Sequence, residues 1–206
     1  MRQPKLILPD ASPLFSLAGI DRLDLLLLPK LPVVLTDYIE WEATRNRGAT
    51  ALRIEKWIAG NRPLVPVVET EPGKDRIRKD RAGIPDRRKN MGEITVFEAL
   101  SNEYVGEGPY LFLFEDEKML RQIDPTFAGA YPVHLLTTFA FLVGLERKGL
   151  IPDADAVFDD IRGRSPAISE EEKRMRRPGV RKTMYDRPHR DADGEDTAWA
   201  PKVAGM

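Results

Sequence analysis

The 206-residue chain contains no cysteine, which excludes a disulfide framework, a thiolate zinc site and a cysteine nucleophile together. Histidine is nearly missing too: His134 falls in an apolar run and His189 in a charged stretch, so neither suggests general-base catalysis. No apolar run approaches the roughly 20 residues of a membrane span, the longest being Leu25 to Leu28 with its neighbours. The start also lacks the basic, apolar and small-residue succession of a secretory signal. A cytoplasmic protein with no membrane partner is the expectation. A net charge of −1 argues against a basic coat over the whole surface, although that average hides one strongly basic stretch.

What the chain does contain is dispersed acid. Asp10, Glu42, Glu93 and Asp116 stand at the borders of separate secondary-structure elements, far apart in sequence but placed so that one fold could gather them at one edge. Hard dications take oxygen ligands and keep several waters, so converging carboxylates suit Mg²⁺ or Mn²⁺ and point to hydrolysis of a phosphodiester.

The pattern along the chain supports that placement. Lys5 to Pro9 is a short apolar run ending at Asp10, with Ser12 as the expected N-cap and Pro13 at the first helical position. A helical run from Ile20 to Leu28 stops at Pro29 and Pro32, Val33 to Leu35 is β-branched enough for a strand, and Thr36 or Asp37 opens the next helix. Asp37 with Glu40 fits a reciprocal capping box. Glu42, three and four residues after Ile39 and Tyr38, shares their inward side.

Further along, Pro63 to Val68 reads as a strand, Gly92 to Tyr104 as a helix headed by Glu93, and Tyr110 to Phe114 as a buried strand followed by Glu115-Asp116-Glu117 and a short helix. Val133 to Leu136 is the last strand, Thr137-Thr138 caps an apolar helix that stops at Gly149, and Asp153 to Arg162 forms another helix. Strands alternating with helices predict one α/β domain over 1–164 with a central parallel sheet, whose sites form beyond the carboxyl ends of the strands.

Two segments fall outside this alternation. The stretch from Gly73 to Asn90, basic apart from Asp75, Asp80 and Asp86, reads as a mobile insert over about 72–90. Residues 165–206 are charged and poor in apolar side chains, which predicts a tail without order of its own that folds on a partner. Each acid also has a structural alternative: Asp10 can make an Asx-turn, Glu93 favours a helix dipole, and Asp116 can cap the helix that follows it.

Taken in order and spacing, Leu6-Ile7-Leu8-Pro9-Asp10-Ala11-Ser12, Val33 through Glu42, Met91-Gly92-Glu93, Leu111 to Asp116 and Thr137 through Pro152 resemble the PIN-domain ribonucleases, in particular the group related to toxins of toxin-antitoxin pairs. The resemblance implies a three-layer PIN-like fold and metal-dependent endoribonuclease activity. By position it makes Asp10, Glu42, Glu93 and Asp116 the catalytic acids, with Glu115 as the alternative at the fourth place, and Ser12 and Thr138 (or Thr137) the accompanying hydroxyls. Asp10, Glu93, Asp116 and Glu115 become the metal ligands, for Mg²⁺ or Mn²⁺. RNA is the expected substrate, tracked by Arg45, Arg47 and the basic stretch, and an antitoxin peptide or a second copy of the chain the expected protein partner. The rival expectation keeps this fold without turnover, as a nucleic-acid or protein-binding module.

Overall fold

The computed structural model describes residues 4–88, 90–101, 108–115 and 133–164. Its elements in chain order are β1 (Leu6–Pro9), α1 (Ala11–Gly19), one 3₁₀ stretch (Leu23–Leu27), β2 (Leu35–Thr36), α2 (Asp37–Thr44), α3 (Ala49–Gly60), β3 (Val67–Val68), α4 (Glu71–Arg81), α5 (Met91–Ser101), β4 (Tyr110–Phe114), β5 (Val133–Thr137), α6 (Thr138–Arg147) and α7 (Ala154–Arg164).

The centre is a parallel sheet in the order β1-β4-β5, with Leu8 opposite Phe112 and Phe112 opposite Leu135. Every residue of β1 and β4 is buried, which is why both read as unbroken apolar runs rather than alternating ones. Parallel β2 and β3 pair beside them, and a bridge between Ile7 and Val33 joins this pair to the free side of β1. The backbone sequence across the fold is therefore β3-β2-β1-β4-β5. Helices α1, α2 and α3 pack on one another, α4 and α5 pack against α2, and α6 packs with α7. The common core runs through Ile7, Leu8, Leu14, Leu17, Leu35, Ile39, Phe112, Phe114 and Phe141.

Three expectations change in detail. The strand expected over Pro63 to Val68 shrinks to Val67–Val68, although Val33 and Leu35 still donate to the carbonyls of Leu64 and Pro66. Pro63 and Pro66 have no N–H to return, so a regular ladder cannot extend through them. The Ile20 to Leu28 run forms only a 3₁₀ stretch over Leu23–Leu27. The third change is larger: the expected mobile insert contains helix α4, opened by Thr70, whose hydroxyl accepts from Gly73 N–H and donates to Asp37. Gly73 is required there, because a Cβ would collide with the Asp37 carboxylate. The short helix expected after Asp116 and the 165–206 tail lie outside the described residues. Among the described residues no helix is long and apolar enough to cross a membrane.

Candidate active site at the strand ends

The chain leaves β1 toward β2 on one side and returns through β4 on the other, so the strand order reverses at β1. In parallel α/β sheets the crevice beyond the carboxyl ends at such a reversal is where ligands bind. Asp10 sits at that point. Its N–H donates to Leu113 O at 2.8 Å, tying the end of β1 to β4. It occupies the N-cap position of α1 in extended backbone, yet its side chain makes no capping bond. Ser12, the expected cap, lies inside the first turn instead, with Pro13 following it. The Ser12 hydroxyl makes no hydrogen bond among the described residues.

The Asp10 carboxylate is directed onto α5. A Cβ at Gly92 would lie 2.6 Å from Asp10 Oδ1, closer than real Cβ contacts come, so Gly92 is what allows the two to meet. Glu93 follows one residue later in the first turn, half-buried. That turn is fixed by buried hydroxyls: Thr95 Oγ1 donates to Gly92 O at 2.8 Å and lies 2.8 Å from Thr36 Oγ1. Because the Thr95 proton is already given to the carbonyl, Thr36 must donate to Thr95 while accepting from Ile39 N–H. One pair of threonines thus fixes the starts of α2 and α5 together. Thr36, not Asp37, is the cap of α2, so the capping box expected for Asp37 and Glu40 is absent. Asp37 instead accepts from Thr70, and Glu40 pairs with Arg62 at 3.5 Å.

Glu42, on α2, lies within electrostatic reach of Asp10. Burial pushes its carboxyl pKa up, and the negative charge of Asp10 pushes in the same direction; Arg45 and Arg76 oppose them. Tyr38 on the same helix is raised by burial and then by Glu42.

The fourth acidic place divides between neighbours. Glu115, directly after β4, accepts from Ser16 Oγ at 2.9 Å and from Thr138 Oγ1 at 2.8 Å. Asp116 lies outside the described residues. The two threonines of the β5–α6 junction have separate jobs: Thr137 caps α6 by accepting from Ala140 N–H, and buried Thr138 faces Glu115. The hydroxyl from α1 that meets an acid is Ser16, which sequence reasoning missed. A signal existed, since Ser16 is one helical turn beyond Ser12 and shares its face.

Among the described residues no three acids or histidines form a ready-made metal-binding group. The donors at this edge are carboxylate and hydroxyl oxygens, the ligand type a hard dication takes, and the Asp10 charge raises Glu42. The basic stretch looks different from its sequence. Arg76, Arg78, Lys79 and Arg88 are each paired with Asp75, Asp80 or Asp86, whereas Arg81 and Arg87 have no ion partner among the described residues. Nor do Arg45 and Arg47, although Arg45 lies over the Trp41 ring.

Comparison of the chain with family models, with curated proteins and with solved structures yields no match.

Proposed function

We propose that this chain is a PIN-type, Mg²⁺- or Mn²⁺-dependent endoribonuclease. The observation that carries the reading is the meeting of Asp10 with Gly92 at the strand-order reversal, with a half-buried Glu42 that responds to the Asp10 charge. Such an arrangement destabilises its own ionised form and is relieved by a cation.

Asp10, Glu93 and the acids after β4, Glu115 or Asp116, would hold the ion. When bound, the dication supplies a water of lowered pKa and neutralises charge on the scissile phosphate. Glu42, whose half-buried carboxylate has gained proton affinity, is suited to act as a general base at this edge. Thr138 and Ser16 set the orientation of Glu115 by a bond to each of its oxygens. Each of those bonds uses one of about four lone-pair positions on a carboxylate, so the grip is compatible with ligation. Arg45, Arg47 and Arg81 are cations available to a phosphate backbone. The toxin role, and with it an antitoxin or homodimeric partner, rests on the sequence resemblance alone.

The deciding experiment is cleavage of single-stranded RNA with Mg²⁺ or Mn²⁺. Asp10→Asn is expected to abolish it while leaving the thermal transition in place, and chelation is expected to do the same. Activity that survives both overturns the assignment. The rival reading, a binding module without turnover, gains if RNA binds with an Arg-dependent affinity and no condition yields cleavage.

A further inference from the structure

Between α2 and α4 runs a cleft of 730 Å³, within the roughly 300–1,000 Å³ of small-ligand pockets. Trp41, Thr44 and Ile77 line it together with Arg78 and Arg81. Trp41 is half-buried, is buttressed by Tyr38 at 5.7 Å, and has the Arg45 guanidinium carbon 4.6 Å from its ring centroid. An aromatic ring fixed in this way and combined with nearby cations is the equipment for stacking a nucleobase.

The lining carries both signs, with Asp37, Glu40 and Glu69 beside Lys74, Arg78 and Arg81. Glu40 pairs with Arg62, Glu69 with Lys74, and Asp37 Oδ1 accepts from Thr70 and from the Tyr38 N–H. Arg78 is matched by Asp75, but exposed Arg81 has no ion partner among the described residues. Asp37 also keeps a buried Oδ2 that has no partner among the described residues, an acceptor that calls for an N–H donor. Trp41 is on α2, the helix that also carries Glu42.

We propose that this cleft is a nucleotide subsite for single-stranded RNA, in which one unpaired base stacks on Trp41 and its phosphate meets Arg81. The proposal rests on the RNA-directed reading above and gives it a substrate requirement: a strand able to unstack one base beside the acids. Duplex RNA cannot offer such a base without melting.

The test uses the full-length Asp10→Asn chain, titrated with a six-residue adenylate RNA in the presence of chelator while tryptophan fluorescence is followed. Quenching is expected, and Trp41→Phe should remove most of it while holding affinity near the parent, since phenylalanine still stacks. Trp41→Ala should weaken binding by about 5- to 100-fold, the span of one base–aromatic stack. Arg81→Gln, an exposed change that leaves the core alone, should weaken it and lower the salt slope by about one. An abasic strand of the same length should bind more weakly than the adenylate. Equal binding of the abasic and adenylate strands overturns the proposal, as does parent-like binding by both Trp41→Ala and Arg81→Gln. So does a flat oligonucleotide titration, the result expected of a cleft that takes peptide. Binding through Trp41 in a wild-type chain that never cleaves RNA would uphold the cleft and sink the nuclease assignment; cleavage with KM unchanged by Trp41→Ala would do the reverse.

Discussion

The strand-end site and the α4 region are both built from carboxylates beside arginines, yet the two treat their acids in opposite ways. Around α4, hydrogen bonds from Lys79, and also from Arg78 and Arg88, lower the Asp75 pKa to about 2, and Arg88 holds Asp86 lower still. Arg76, 17% exposed, is clamped between Asp80 at 3.1 Å and the Asp86 carbonyl at 2.9 Å. At the strand ends, burial and Asp10 raise Glu42. The difference is supply. Where the chain brings its own cations into hydrogen-bond contact, its acids are held ionised; where one acid lies near another and is partly buried, its charged form is disfavoured.

Thr138→Val is expected to do most to break the contrast, because it removes the Thr138 bond to Glu115 Oε1 while keeping the shape of the side chain. RNA cleavage should fall by about 10- to 100-fold, the usual cost of losing a group that orients a metal ligand. Unchanged kcat would place Glu115 on the structural side of the comparison. Gly92→Ala comes next. The added methyl must displace the Asp10 carboxylate, and roughly tenfold slower cleavage with the helical circular dichroism preserved is expected, of the same order as losing an orienting group. Full activity would show that the close approach at Gly92 is dispensable.

Glu42→Gln sharpens the contrast through stability. A carboxyl whose folded pKa is raised binds its proton more tightly folded than unfolded, so its ionisation destabilises the fold as pH rises through the unfolded and then the folded value. The amide should therefore melt higher than wild type at pH 7, by roughly 1–3 °C, and the gain should vanish below about pH 4, where both states are protonated. A lower melting point at pH 7 would contradict the raised pKa. The smallest effect belongs to Asp75→Asn. Its depressed pKa gives the opposite sign: stabilisation is present above the ordinary carboxylate range and is lost as pH falls from about 4 toward 2. Wild type should lose its small advantage over the variant in that window, read from paired pH-melt series. An advantage that is constant across the window would remove Asp75 from the ion network.

How much of this could be read from the sequence depends on the signal each element carries. β1, β4 and α6 declare themselves through apolar runs bounded by Asp10, Glu115 and Gly149, since a strand buried on both faces has nothing polar to present. Helix α4 does not, because beyond Pro72 in its first turn Ile77 is its one aliphatic side chain and its stability comes from docking on Asp37 and from spaced ion pairs such as Arg76–Asp80 and Lys79–Asp75. Charge density in a sequence cannot distinguish a solvated loop from a helix that neutralises itself. The site shows the same division. Asp10 and Glu42 were visible as acids at element borders, but Ser16 and the role of Gly92 depend on which chains come close.

By itself the sequence determined the alternation of buried strands and amphipathic helices, and with it a parallel sheet whose carboxyl ends carry acid, because hydrophobic periodicity is a local property that each segment expresses alone. Tertiary structure decided the rest: the reversal of strand order at β1, the approach of Asp10 to Gly92, the hold of Ser16 and Thr138 on Glu115, and the cancellation of the basic stretch by its own aspartates. Apart from the ion pairs around α4, these are contacts between residues 23 to 99 positions apart, and their energies exist only once the backbone has closed around them.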